Sequence, residues 1–87
     1  MAQYVAPEIE NLRENPRPNQ FVEVVLVVDE GEVSNICNRA EEHSGEVIEN
    51  LGSGVLIVEL PETQLSDFCD TDLLKSVSEP NRMQVLS

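Results

Sequence analysis

Positive charge is scarce in this sequence: Lys75 is the lone lysine, and four arginines face seventeen Asp and Glu, for a net charge of −12. A phosphate backbone would be repelled, so nucleic acid is excluded as a partner class. An anionic membrane surface is excluded on the same ground. Aromatics are almost missing, with only Tyr4, Phe21 and Phe68 and no tryptophan. The core must therefore be built from Val, Leu and Ile. No apolar run approaches the ~20 residues that span a bilayer. The opening stretch MAQYVAPEIENLRENPRPNQ has no basic flank followed by an apolar run, so it does not read as a signal peptide. The expectation is a cytoplasmic protein. An acidic, lysine-poor surface is also what a high-salt cytoplasm favours, and a halophilic origin fits it.

The usual chemical constellations are missing too. His43 is the only histidine, placed near a helix C-terminus where a cation is favoured. Cys37 and His43 are six residues apart, off a shared helix face, which argues against a Cys–His nucleophile. One His and two distant cysteines, Cys37 and Cys69, fall short of a zinc spacing, and no Cys-x-x-Cys occurs. Both cysteines sit in apolar helical patterns as small hydrophobes, and the sequence leaves open whether they pair. The acids lack the order of a calcium loop. Neither an enzyme, a metal site nor a cofactor is expected.

What is present reads as one small domain with a leader and a tail. At 87 residues the chain buries only about 60 % of its unfolded surface. Residues 1–20 hold Pro7, Pro16 and Pro18 and little apolar content, which predicts a disordered or loosely packed leader with a short helical turn at Glu8–Arg13. Residues 21–80 form the domain. Phe21–Asp29 (FVEVVLVVD) is a β-branched strand without clean alternation, so both its faces want covering. Val33, Ile36, Cys37 and Ala40 follow at helical spacing within a helix over Glu32–His43, which Ser44-Gly45 ends with Gly45 left-handed. Glu46–Leu51 and Val55–Leu60 flank Gly52-Ser53-Gly54 as a hairpin. A helix from Pro61 buries Leu65, Phe68 and Cys69, and a last strand, Leu73–Ser78, stops at Pro80.

The order strand, helix, strand, strand, helix, strand is the split βαβ of ferredoxin-like α+β folds. It predicts a four-stranded antiparallel sheet with two helices on one face. Val25, Val27, Val55 and Ile57 then share the face opposite Val24, Leu26, Leu56 and Val58. Alternation alone does not say which set meets the helices. An open face that apolar marks a partner site, with self-association into a homodimer as one way to cover it. The fold also hosts acylphosphatases, which need a base in the first strand-to-helix loop. Here that loop is Asp29-Glu30-Gly31-Glu32, which repels phosphate.

The run from Asp72, DLLKSVSEPNRMQVLS, resembles the end of subtilisin-type propeptides and their stand-alone inhibitor relatives. Val77, Glu79, Pro80 and Asn81 match the end of the last strand in that family. Gly45-Glu46-Val47-Ile48 after the first helix and Glu59-Leu60-Pro61 fit as well, so the likeness spans residues 21–87. The resemblance implies a free-standing inhibitor, or a folding chaperone in trans, of a subtilisin-type serine protease. Its open sheet face, with Val25, Val27, Val55 and Ile57, would pack on the protease. Glu79 would cap a protease helix, and Met83, Gln84, Val85, Leu86 and Ser87 of the extended tail 81–87 would occupy the substrate cleft. The rival expectation is a ferredoxin-like interaction or regulatory module that self-associates through its sheet.

Overall fold

The two strands that are apolar on both faces pair with each other along nearly their whole length. In the computed structural model, which describes residues 4–80, these are β2 (Phe21–Val28) and β4 (Val55–Pro61), in register from Phe21 opposite Pro61 to Val27 opposite Val55. Around them run β1 (Tyr4–Val5), α1 (Pro7–Glu14), a 3-10 turn (Glu30–Glu32), α2 (Val33–Glu42), β3 (Glu46–Gly52), α3 (Glu62–Cys69) and β5 (Leu74–Ser78). The sheet order is β1-β5-β2-β4-β3, parallel between β1 and β5 and antiparallel in the other pairs.

The α+β class holds, but the four-stranded antiparallel sheet with two helices does not. Among the described residues the sheet has five strands and is mixed, and three α-helices cover one face of it. The difference comes from residues read as a leader. Pro7 opens α1 at a position where a proline loses no hydrogen bond. Val5, Ala6, Ile9 and Leu12 carry an apolar stripe into the core, with Ile9 fully buried. The Ala6 N–H donates to the Val77 carbonyl at 2.9 Å, extending the sheet past β5. Three prolines and many polar residues mask that stripe when composition is averaged over the segment.

The core lies between the helices and one sheet face. Val24, Leu26, Val28, Leu56, Val58, Leu60, Leu74 and Val77 meet Ile9 of α1, Ile36 and Ala40 of α2, and Leu65, Phe68 and Cys69 of α3. Both cysteines are free thiols; Cys37 is half-buried and Cys69 buried. Burial pushes the Cys69 thiol up to about 11, so it stays protonated as a small hydrophobe.

Polar contacts lock the helices together. Arg39 of α2 donates from Nε to the Phe68 carbonyl at 3.0 Å and from Nη2 to the Asp67 carbonyl at 2.7 Å. It thereby satisfies the last carbonyls of α3, which have no intrahelical partner. His43 Nδ1 lies 3.0 Å from the Arg39 carbonyl, and its ring stands edge-on to Phe68. The end of α2 departs from expectation in one detail. Ser44, at φ 64°, takes the left-handed turn. Gly45 is needed for space instead, because a Cβ there would lie 2.5 Å from Leu60 Cδ2 and 2.7 Å from the Glu59 carbonyl oxygen.

Candidate docking face

The odd-numbered residues of β2 and β4 point away from the helices and form a sheet face that no described element covers. Strand register sorts this face into rows. One row runs Tyr4, Ser76, Val27, Val55 and Gly52 across β1, β5, β2, β4 and β3. The next runs Ser78, Val25, Ile57 and Glu49. A third runs Glu23, Glu59 and Glu46, three carboxylates on directly opposed positions of neighbouring strands. Like charges placed directly opposite cost stability. Phe21 opposite Pro61 closes the face at that end.

Val25, Val27, Val55 and Ile57 therefore sit together at the centre, each half-buried by its neighbours. The structure resolves which of the two alternating sets meets the helices: Val24, Leu26, Leu56 and Val58 do. Sequence reasoning missed the edges of the patch. Tyr4 reaches this face only through the unforeseen β1, and is 56 % exposed. Two register shifts in β3, between Val47 and Glu49 and between Asn50 and Gly52, leave Ile48 and Leu51 as extra exposed residues on the outer strand. Bulges of this kind bend and blunt an edge strand. The acidic row was equally hidden, since Glu23, Glu46 and Glu59 are aligned only by the register of three strands.

Glu79 and Pro80 follow β5 and line a shallow groove of about 290 Å³ with Phe21, Val22 and Glu23. The five residues Met83 to Ser87, expected as the cleft-binding tail, lie outside the described residues, as does Asn81. Among the described residues no group of His, Cys, Asp and Glu could hold a metal ion, and no helix is long and apolar enough to cross a membrane.

A family model described as "Putative peptidase inhibitor domain" matches residues 4–79. That span includes β1 and α1 as well as the part read from the sequence as the domain. Among solved structures, the chain is similar to one in "Structure of the Clostridium Perfringens CspB protease". The two share 20 % identity and a TM-score of 0.67, over 90 % of this chain and 85 % of that one. At that identity the likeness speaks for the fold. No curated protein matches the chain.

Proposed function

The chain belongs to the family of the putative peptidase inhibitor domain, matched over residues 4–79, and we propose that it inhibits a subtilisin-type serine protease. In this reading the helix-free sheet face docks on the protease surface and the tail 81–87 enters the substrate cleft. The observation that carries it is the uncovered patch of Val25, Val27, Val55 and Ile57 in a chain of this family. An apolar sheet face of this kind marks an interaction site.

Three further points support it. The similar chain in the CspB protease structure is nearly matched end to end, so it is about as long as this one. The row Glu23, Glu59, Glu46 and the neighbouring Glu79 offer carboxylates beside the apolar patch, where helix N-termini or basic side chains of a protease would be attracted. In the extended form that a substrate cleft selects, residues 81–87 would add main-chain hydrogen bonds as a strand, with Met83, Gln84, Val85, Leu86 and Ser87 meeting successive subsites. The same contacts would let the domain template folding of the protease in trans. Pairing of two copies through this face is the rival, and a net charge of −12 on each copy opposes it.

The test is titration of the full chain into a subtilisin-type protease assay at low and high salt. Tight inhibition, abolished by deleting Met83–Ser87 and weakened by Ile57→Asp with the domain still folded, is the expected result. Full inhibition by the truncated chain would remove the tail from the mechanism. Absence of inhibition together with a stable dimer in sedimentation would favour the self-associating module.

A further inference from the structure

β2 is longer than the strand beside it. β4 pairs with it from Phe21 to Val27, whereas β5 reaches only from Val28 to Val25, where Ser78 is its last partner. The direction of the free main-chain groups follows from two hydrogen bonds at the ends of the β2–β4 ladder. Val28 N–H donates to the Gly54 carbonyl at 2.8 Å, and Glu62 N–H donates to the Gln20 carbonyl at 2.9 Å. Even-numbered positions of β2 therefore bond towards β4, and the N–H and C=O groups of Phe21 and Glu23 point to the other side. Continuing the β5 register by two residues would place Pro80 opposite Glu23, at a position where the ladder requires an N–H. Proline has none, so β5 ends and, among the described residues, no strand pairs with β2 at Phe21 and Glu23 on this side.

We infer that this edge is a second docking site, which takes an extended, basic peptide segment of a partner protein by strand addition. Main-chain donors and acceptors at Phe21 and Glu23 are the groups that another strand pairs. The groove beside them has room for side chains, about 290 Å³, and Phe21 stands 56 % exposed at its mouth. Its charged lining residues are Glu23 and Glu79, both acidic, which selects Lys or Arg in the incoming segment and rejects a second copy of this acidic chain. The site is distinct from the apolar patch: it is bound through backbone at a sheet edge, not through side chains on a sheet face.

The test uses two capped peptides on the full chain, one alternating valine with lysine and one alternating valine with glutamate, read by amide hydrogen exchange. At ten times the dissociation constant of the Val/Lys peptide, the Phe21 and Glu23 amides are expected to exchange about tenfold more slowly. The Val/Glu peptide is expected to leave them unchanged, and Glu23→Lys to abolish the preference while the circular dichroism spectrum is retained. Equal effects of the two peptides, or protection confined to the outer strand β3, would overturn the assignment. So would amides already slow in the free chain that speed up when residues 81–87 are deleted, because the chain's own end would then be the occupant. Slow amides that depend on protein concentration would identify a second copy instead, and would equally overturn it. Because the readout needs no protease, its failure leaves the inhibitor reading untouched.

Discussion

Arg17 and Glu62, 45 residues apart, close the fold around a buried carboxylate. Glu62 is 1 % exposed at the start of α3 and accepts three hydrogen bonds from Arg17. The backbone N–H and Nε reach Oε1 at 3.0 and 3.2 Å, and Nη2 reaches Oε2 at 2.7 Å. The loop between α1 and β2 is thereby tied to the helix that follows β4. A buried carboxylate without such donors would be costly.

A pH dependence follows from that pair. Hydrogen bonding from the Arg17 side chain holds the Glu62 carboxyl below the ordinary glutamate value in spite of its burial. A carboxyl depressed in the folded state contributes stability above its unfolded value, and that contribution is lost as pH falls through the folded value. Arg17→Ala should therefore lower the melting temperature most at neutral pH. The gap to the parent should narrow as pH drops below the ordinary glutamate range. Melting curves between neutral and acidic pH, at fixed molar salt to screen general repulsion, check this. A gap independent of pH would show that Arg17 acts through packing alone.

The first helix is as much a part of the core as the strands. Ile9 is fully buried among the residues of α3 and β5. Truncating a buried isoleucine costs about 2–5 kcal/mol, a large share of a small domain's stability. Ile9→Ala should therefore unfold much of the population near 37 °C, measured by chemical denaturation, while Asn11→Ala on the exposed side should change little. An unaffected denaturation midpoint for Ile9→Ala would mean that α1 detaches freely in solution.

Legibility in the sequence tracked how locally each feature is encoded. The α2 stripe of Ile36 and Ala40 and the glycines around Ser53 announce themselves within a few residues, and the structure has both elements there. The end of β5 is written in Pro80. The strand β1 is two residues long and gains meaning only from Ser76 and Val77, more than seventy positions away. Ile9 and Leu12 do share one face of α1, but the surrounding prolines and polar residues hide that face in any averaged measure. The open face was legible as two alternating sets and no further. Choosing between them requires knowing where the helices sit, and aligning Glu23, Glu59 and Glu46 requires the register of three strands.

Position 54 at the hairpin tip should be intolerant of any side chain. Ser53 and Gly54 both have positive φ, 56° and 82°, as the two-residue turn between β3 and β4 requires. At Gly54 a Cβ would fall 2.0 Å from the Val28 carbonyl oxygen, so the tip is also wedged against the end of β2. Gly54→Ala should cost more than about 1 kcal/mol, since both the backbone conformation and the contact oppose it. Gly31→Ala is the matched control, with no atom within 4 Å of its Cβ position. Equal melting temperatures for the two variants would refute the close approach.

The acidic row should trade stability for binding. Glu59 stands between Glu23 and Glu46, so neutralising it removes two directly opposed like-charge pairs at once. Directly opposed like charges on neighbouring strands destabilise a sheet. Glu59→Gln should therefore raise the melting temperature at low salt. The gain should shrink at molar salt, where the Debye length falls to about 3 Å and the parent's own self-repulsion is screened. Under the inhibitor reading the same substitution should weaken protease binding, because the row faces the partner's positive groups. A solvated surface row predicts the first effect without the second. Measuring melting temperature and inhibition constant on the one variant, at two salt concentrations, therefore separates a docking determinant from a general acidic surface. A more stable variant that inhibits as well as the parent would leave the apolar patch to carry the docking alone.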